Sequence, residues 1–369
     1  MRSTNIIFLL IMFLSPITIK AEDNNSIAQQ RILETKMDSC MNTHDYFHAM
    51  QYYTQMDTAF VHQNLSIIRK AAEMHRNRGN NALWMSHLLF IYSTKPDSIT
   101  YNDIRSLYFA SRNREMEDFC TLFGNKAISM NPYDSEIVTS MATDYNNTEH
   151  PDKALELCGS YLQRDSTNLK VLRQYGYAAH LLGNATEALN TYKKLEANGF
   201  DNYESALIIG VSLIRMDSTW ASRPYLRKAV ERRKGNEYAS LMHLGNVNIA
   251  CGEYGEGVSH LEKAIDVINP DGNTMYSLLH SIAEGYYGMN NYKQAAKAFS
   301  ECTKYKSEKP ILYYNIAQMC KGMKDNKKEL KYINMFLDKT HLLEDTPENK
   351  KLIDEMQERI EYLAKIGVK

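Results

Sequence analysis

The feature that most constrains the fold is a residue pattern that returns about every 34 residues. The copy beginning at Tyr238 has an apolar residue at Leu241, an apolar–small pair at Leu244–Gly245 and a second small residue at Gly257. Spacings of three and four put apolar residues on one helical face, and small residues let two helices approach closely. The pattern therefore predicts tandem pairs of helices. Its copies begin at Leu65, Tyr101, Ser135, Leu169, Tyr203, Tyr238, Tyr276 and Pro310.

Turn-forming residues separate the two predicted helices of several pairs. They are Gly79-Asn80, Gly183-Asn184, Cys251-Gly252 and Asn290-Asn291. One helix pair cannot bury its own apolar face, whereas stacked pairs can. The chain has 369 residues, which is long for a single compact domain. Stacking into a solenoid is the arrangement that this length and this period favour.

The register resembles that of the tetratricopeptide repeat (TPR) family from about Leu65 to Leu343. The resemblance implies an all-α, right-handed superhelical solenoid of about eight helix-turn-helix repeats. Several positions depart from the family's usual residue type: Tyr108, Cys120, Gly124, Asn248 and Glu329.

Two segments flank the predicted array of residues 64–343. Residues 22–63 carry apolar positions that predict a divergent N-terminal helical hairpin. Residues 344–369 predict a C-terminal capping helix, with Thr346 as N-cap and Pro347 in the first turn. The apolar stripe of this helix faces inward. It consists of Leu352, Ile353, Met356, Ile360 and Leu363.

Residues 1–21 have the pattern of a secretory signal peptide. Arg2 precedes an apolar run over Ile6–Leu14, and Ala21 supplies a small residue at the cleavage position. A retained membrane anchor is the alternative, but a membrane span needs about 20 apolar residues. We expect cleavage after Ala21, a periplasmic or secreted protein, and no integral membrane span after cleavage.

Charge and cysteine content exclude some classes of protein. Removing Arg2 and Lys20 leaves 41 basic residues against 44 acidic ones, a formal charge of −3. We therefore expect no nucleic-acid partner, because such partners select strongly basic surfaces. The six cysteines are irregularly spaced, and only Cys302 and Cys320 lie in neighbouring predicted helices. Free buried thiols are the first interpretation and three disulfides the alternative.

His44 and His48 form the sharpest catalytic candidate. Histidines four residues apart could share a helical face and bind a metal, with Asp45 in place of the glutamate of an HExxH motif. Asp45 is one carbon shorter than that glutamate, and no third ligand is nearby. The sequence also lacks a phosphate-binding glycine loop and a Gly-x-Ser-x-Gly elbow. We therefore expect no enzyme, metal or cofactor.

The resemblance also implies that the first helix of each repeat lines a concave groove. Arg69, Arg76, Arg105 and Arg112 occupy groove positions, and each pair spaced by seven residues shares one helical face. The remaining predicted groove residues are Lys170, Arg173, Tyr177, His180, Met242, Asn246, Ile249 and Tyr287. The predicted groove is basic over its first repeats and apolar to aromatic over its last.

These residues predict a non-catalytic scaffold or adaptor that binds an extended protein segment, acidic and partly apolar. Arginines would hold its carboxylates, Met242, Ile249 and Tyr287 its apolar side chains, and Lys170, Tyr177 and Asn246 its backbone. The less specific alternative is that the arginines are solvent-facing and that Arg69 and Arg76 pair with Glu73. Two other functions stay open: binding of a glycan or small ligand outside the cytoplasm, and hydrolysis around His44 and His48.

Overall fold

The computed structural model describes residues 24–368, and these contain helices and no β-strand. They form two compact units, one ending at Gln174 and the other beginning at Tyr175. The predicted signal peptide, residues 1–21, lies outside the described residues. No helix in the described range is long and apolar enough to span a membrane.

The first unit begins with three helices that precede the predicted array and ends within α10. Its helices are α1 (Asn24–Asn42), α2 (Tyr46–Thr54), α3 (Thr58–Gln63), α4 (Leu65–Asn77), α5 (Asn81–Thr94), α6 (Tyr101–Arg112), α7 (Glu117–Met130), α8 (Ser135–Asn147), α9 (Pro151–Leu162) and α10 (Leu169–Leu181). A short 3₁₀ segment, Pro96–Ser98, joins α5 to α6.

The second unit contains the rest of α10 and ten further helices. They are α11 (Ala185–Ala197), α12 (Tyr203–Arg215), α13 (Thr219–Arg232), α14 (Tyr238–Ala250), α15 (Tyr254–Ile268), α16 (Gly272–Gly288), α17 (Tyr292–Cys302), α18 (Pro310–Gly322), α19 (Asn326–Leu337) and α20 (Pro347–Lys365). Within each unit, helices pack as successive pairs, and the second helix of a pair also packs against the first helix of the next. This confirms the prediction of an all-α array of helix-turn-helix repeats.

The one irregular interval of the register has a simple structural cause. Neighbouring copies begin 38 residues apart at Tyr238 and Tyr276, and Tyr276 lies inside α16. The helix begins earlier, at Gly272, and its N-cap Asp271 accepts hydrogen bonds from two backbone amides. Because α16 has 17 residues where α14 has 13, the four extra residues form one additional helical turn.

One backbone conformation recurs at the hairpin turns. In nine of them, the residue two positions before the second helix has a positive φ. The left-handed region favours glycine, yet most of these residues are not glycine. They are His44, Gly79, Glu115, Glu149, Gly183, Asp217, Gly252, Asn290 and Lys324. The turn between α1 and α2 has the same geometry, so the segment before the array also contains a repeat-like hairpin, followed by α3.

Small residues allow the helices of one pair to touch. A Cβ atom on Gly245 of α14 would lie 2.7 Å from Cγ of Leu261, and one on Gly257 of α15 would lie 2.9 Å from the Gly245 carbonyl oxygen. The unusual Gly124 has a similar role, because its absent Cβ leaves room for the Met141 sulfur. Asn248, another departure, is fully buried and accepts a hydrogen bond from Nε of Arg223 at 2.9 Å.

The capping helix α20 is held by a buried ion pair. Thr346 caps it and Pro347 opens it, as the sequence predicted. Glu329 of α19, only 1% exposed, accepts two hydrogen bonds from Arg359, at 2.7 and 3.1 Å. A second polar contact joins α20 to α18, since Glu355 accepts a hydrogen bond from the Tyr314 hydroxyl. The carboxylate at position 329, where the family usually has alanine, therefore fastens the cap to the last helix pair.

Three histidines meet inside the first unit. The His75 and His87 ring centroids are 5.2 Å apart, and Nε2 of His87 forms a hydrogen bond of 3.0 Å with the Tyr53 hydroxyl. Burial, then the nearby His87 and Arg78, lowers the pKa of His75 to about 4. Burial also lowers the pKa values of His87 and His62. The cluster, which joins α2, α3, α4 and α5, is therefore neutral at pH 7.

Arg359→Ala leaves Glu329 buried without its partner, so we expect α20 to lose about 3–5 kcal/mol of stability. Hydrogen exchange of the α20 amides measures this loss. Glu329→Ala combined with Arg359→Ala should recover most of it, because no unpaired buried charge remains. Lys328→Ala, which removes the exposed pair with Asp325, is the matched control and should cost less than about 1 kcal/mol. Equal losses of stability in Arg359→Ala and Lys328→Ala would contradict the role given to the Glu329–Arg359 pair.

We expect the first unit to lose stability as the pH falls from about 6.5 towards 4. In this interval the unfolded chain binds protons that the buried histidines exclude, so acid favours unfolding. Each pKa unit of depression corresponds to at most about 1.4 kcal/mol per group. Hydrogen exchange of α4 and α5 at pH 7 and 5, corrected for intrinsic rates, tests this. His75→Leu should reduce the pH dependence and exposed His341→Leu should not; an unchanged pH dependence in His75→Leu would refute the assignment.

Candidate functional site

Three of the four arginines predicted to make the groove basic are ion-paired to carboxylates of the following helix pair. Arg69 Nη1 lies 2.6 Å from Asp103 Oδ2. Arg112 binds both oxygens of Asp144, with Nε and Nη2 each at 2.8 Å. Arg69 is thus paired across repeats, to Asp103 rather than to Glu73 of its own helix. The positive charge expected from these side chains is largely compensated.

Arg105 is held by the most connected of these carboxylates. Its Nε donates to Asp134 at 2.9 Å, and its Nη2 also pairs with Glu136. Asp134 is the N-cap of α8, accepting from two backbone amides, and it accepts the Tyr101 hydroxyl as well. Burial acts to raise the pKa of Asp134, but the hydrogen bonds from Tyr101, the Ile137 amide and Arg105 outweigh it, and the net pKa is lowered.

Arg76 differs from these three. It is exposed, it lies 5.6 Å above the ring of Trp84, and no carboxylate of the described chain is within ion-pair distance of it. With Arg105 and Arg114 it lines a cavity of about 460 Å³ among α4, α5 and α6. A second cavity, of about 450 Å³, adjoins Arg112 and is rich in acidic residues, among them Glu115, Glu117 and Asp144.

Two predicted groove residues mark the end of the first unit, and two lie at the start of the second. Lys170 and Arg173 are exposed on the first two turns of α10. Tyr177 stacks on His180, with ring centroids 6.3 Å apart. Burial, followed by Arg215 and His243, lowers the pKa of His180 to about 4. His180 is therefore neutral at pH 7 and adds no positive charge to this surface.

The remaining predicted residues divide into packed and exposed side chains. The Met242 sulfur accepts a hydrogen bond from the Tyr238 hydroxyl at 3.1 Å, and the Met242 side chain packs against the core. Ile249 lies against Gly257 and Gly285, where added Cβ atoms would come within 2.6 and 3.2 Å of its side chain. Asn246 and Tyr287 are exposed, Tyr287 at 54%. Ile249 thus serves helix packing, whereas Asn246 and Tyr287 are open to a ligand.

The histidine motif is not arranged as a metal site. His44 lies between α1 and α2 with φ of 59°, so it does not share a helical face with His48. The Asp45 side chain caps α2 and lies 2.6 Å from Nδ1 of His48. Residues 24–368 contain no group of three His, Cys, Asp or Glu side chains placed to hold a metal ion. The six cysteines are free thiols, and Cys158, Cys302 and Cys320 are buried.

Sequence reasoning missed the carboxylate partners because it followed each register position along the array and did not compare neighbouring repeats. The paired residues are separated by roughly one period: Arg69 and Asp103 by 34 positions, Arg112 and Asp144 by 32. Tyr203 and Glu237 are also 34 apart. A search for complementary side chains one period apart would have found these contacts.

We expect Asp134→Ala to cost about 2–3 kcal/mol, because it removes an N-cap and also the partner of Arg105 and Tyr101. Asp134→Asn keeps a good cap and should cost about half as much. Asp271, whose hydrogen bonds stay in the first turn of α16, gives the control: Asp271→Ala should cost about 1 kcal/mol. Denaturant unfolding measures all three, and equal costs for the two alanine variants would show that the contact between repeats adds nothing.

Comparisons with known proteins concern the fold only. No protein-family model matches the chain, and no curated protein matches it in sequence. Among solved structures, YrrB, described as a TPR protein with an unusual peptide-binding site, is 18% identical with a TM-score of 0.43, covering 50% of this chain and 92% of its own. MamA is 20% identical with a TM-score of 0.39, covering 46% and 93%.

The Cut9–Hcn1 assembly of the APC/C is 11% identical over 84% of this chain and 58% of the matched chain, with a TM-score of 0.46. A likeness at this level bears on neither function nor overall shape. Within residues 24–368, the helix pairs, their period and their recurring turn form an array of helix-turn-helix repeats.

Proposed function

We propose that the protein is a non-catalytic scaffold or adaptor, exported from the cytoplasm, that binds an extended segment of a partner protein along the first helices of its repeats. One observation carries this proposal: these helices expose polar, cationic and aromatic side chains that packing does not require. Asn246 is exposed between buried Gly245 and Val247, and Tyr287 is half-exposed at the end of α16. Exposed aromatic side chains of this kind commonly anchor binding partners.

The charge pattern supports a partner that is partly acidic. Arg76 and Lys170 are exposed on first helices. Guanidinium groups bind carboxylates through paired hydrogen bonds, while Tyr287 offers apolar area with a polar tip. Export rests on the sequence pattern of residues 1–21 and belongs to the proposal.

The test must change residues whose side chains do not hold the repeats together. Charge reversal at Arg105 or Arg112 would break contacts to Asp134 or Asp144 and so disturb the packing between repeats. A photo-crosslinking residue at position 246 avoids this, and exposed position 334 on the second helix α19 serves as the matched control. In the envelope fraction of the native host, we expect protein adducts from position 246 and few from position 334.

Tyr287→Ala should reduce the yield of these adducts about tenfold. Tyr133→Ala, which removes a somewhat more exposed tyrosine from the loop before α8, should not reduce it. Equal adducts from positions 246 and 334 would contradict the proposal. Binding on a glycan array without protein adducts would instead establish the glycan-binding alternative.

A further inference from the structure

We infer that the cavity among α4, α5 and α6 is an anchoring pocket for a carboxylate carried by the partner segment. The inference rests on the proposed function and assigns it a specific subsite. The cavity has a volume of about 460 Å³ and lies within the first unit. Its wall brings together Arg76, Arg105 and Arg114 with the rings of Trp84 and Phe109.

Two of the three guanidinium groups have no anionic partner in the described chain. Arg76 has only its contact with the Trp84 ring, and Arg114 donates to the Met85 sulfur at 3.2 Å, a weak acceptor. The third, Arg105, is saturated by Asp134 and Glu136. Because two positive charges face one cavity and its wall contains no carboxylate, an anion entering it would gain partners that the fold does not supply.

The aromatic rings orient these guanidinium groups. Arg76 lies over Trp84, and Arg105 lies 4.9 Å from the Phe109 ring centroid. A guanidinium is planar by delocalisation, and the contact of Arg76 with the Trp84 ring leaves the N–H edge of Arg76 available for bidentate hydrogen bonds. Trp84 is 9% exposed, so a small apolar part of its ring forms one side of the pocket. A charged hydrogen bond is stronger next to such a surface than in open water.

The neighbouring cavity has the opposite charge character. The cavity beside Arg112 contains Glu115, Glu117, Asp118 and Asp144 in its wall, and Arg112 is already bound to Asp144. An anion would be repelled there. In the pocket of Arg76 and Arg114 the remaining polar groups are neutral, namely Asn81, Ser106 and Asn113, and each can donate a hydrogen bond.

The apolar part of the wall favours a carboxylate on an aliphatic stem. Trp84, Phe109 and Ala110 lie beside the guanidinium groups, so the methylene groups of a glutamate would contact carbon while its oxygens meet Arg76 and Arg114. A phosphate would share the charge contacts but would have to give up more hydration against the same apolar wall. We therefore assign the pocket to a glutamate-type side chain.

Trp84 provides a direct readout. The chain has two tryptophans, so Trp220→Phe leaves Trp84 as the only one. The probes are three synthetic peptides in which leucine alternates with glutamate, glutamine or phosphoserine. In the Trp220→Phe protein we expect a saturable change in emission with the Glu–Leu peptide and none with the Gln–Leu peptide. Binding should weaken as salt is raised.

Arg76→Gln and Arg114→Gln should each weaken binding of the Glu–Leu peptide by about tenfold, since each removes a charge-assisted hydrogen bond. Arg78→Gln is the matched control, because Arg78 is exposed on the same turn but lies over Phe47 and not in the pocket. Circular dichroism identifies any variant that fails to fold. If a glutamine variant does not fold, the lysine variant at that position is used instead. Lysine keeps the positive charge but lacks the planar guanidinium, so this variant should bind the Glu–Leu peptide at least severalfold more weakly than the unsubstituted pocket does.

An unchanged affinity in the Arg76 and Arg114 variants, or no response of Trp84 to the Glu–Leu peptide, would overturn the assignment. A phosphoserine–leucine peptide that binds more tightly than the Glu–Leu peptide would overturn it in favour of a phosphate site. Crosslinking at position 246 distinguishes a failure of the pocket assignment from a failure of the proposed function. If those adducts persist while the pocket variants bind normally, only the pocket is wrong; if they are absent, the scaffold proposal also fails.

Discussion

Stacking of the repeats depends on carboxylates that have two roles: each caps a helix and also binds a side chain of the preceding repeat. Asp134 caps α8 and at the same time binds Arg105 and Tyr101 of the preceding repeat. Glu237 caps α14 and accepts the Tyr203 hydroxyl, 34 residues earlier. Since one carboxylate completes a helix N-terminus and also joins two repeats, the start of that helix and its docking onto its neighbour are coupled. Such coupling is one way in which a repeat array becomes cooperative.

These contacts also change the electrostatic character of the first helices. A row of arginines would repel itself if its charges were uncompensated, but Arg69, Arg105 and Arg112 are each paired with an acid of the next repeat. Arg76 is the member of the row that keeps an open guanidinium. Among these four arginines, the uncompensated positive charge is therefore concentrated at Arg76 and is not spread evenly along the row.

Much of the fold could be predicted from the sequence because the period, the small residues and the turn residues are local signals. Helices begin at Leu65, Tyr101, Ser135, Leu169 and Tyr203, as the register predicts. The early start of α16 was missed because the register placed the beginning of that copy at Tyr276, whereas Asp271 caps a helix that begins at Gly272.

The candidate site was less predictable from the sequence. Whether Ile249 packs between glycines or faces solvent depends on the neighbouring helices, and the burial that keeps His180 neutral is a tertiary property. The exposure of Tyr287 likewise becomes visible only when α16 is placed in its unit. Register position therefore identified the residues, but their partners decided which of them are available for binding.

The turn residues with positive φ affect where the array unfolds locally. A non-glycine residue in this conformation carries a cost of about 1 kcal/mol. Gly79, Gly183 and Gly252 avoid that cost, while Glu115, Glu149, Asp217 and Lys324 do not. The hairpin geometry is the same in all of them, so packing of the two helices imposes it. Local strain is consequently uneven along the chain, and hairpins such as α8–α9 and α18–α19 are the natural points at which transient fraying, proteolytic nicking or accepted insertions would begin.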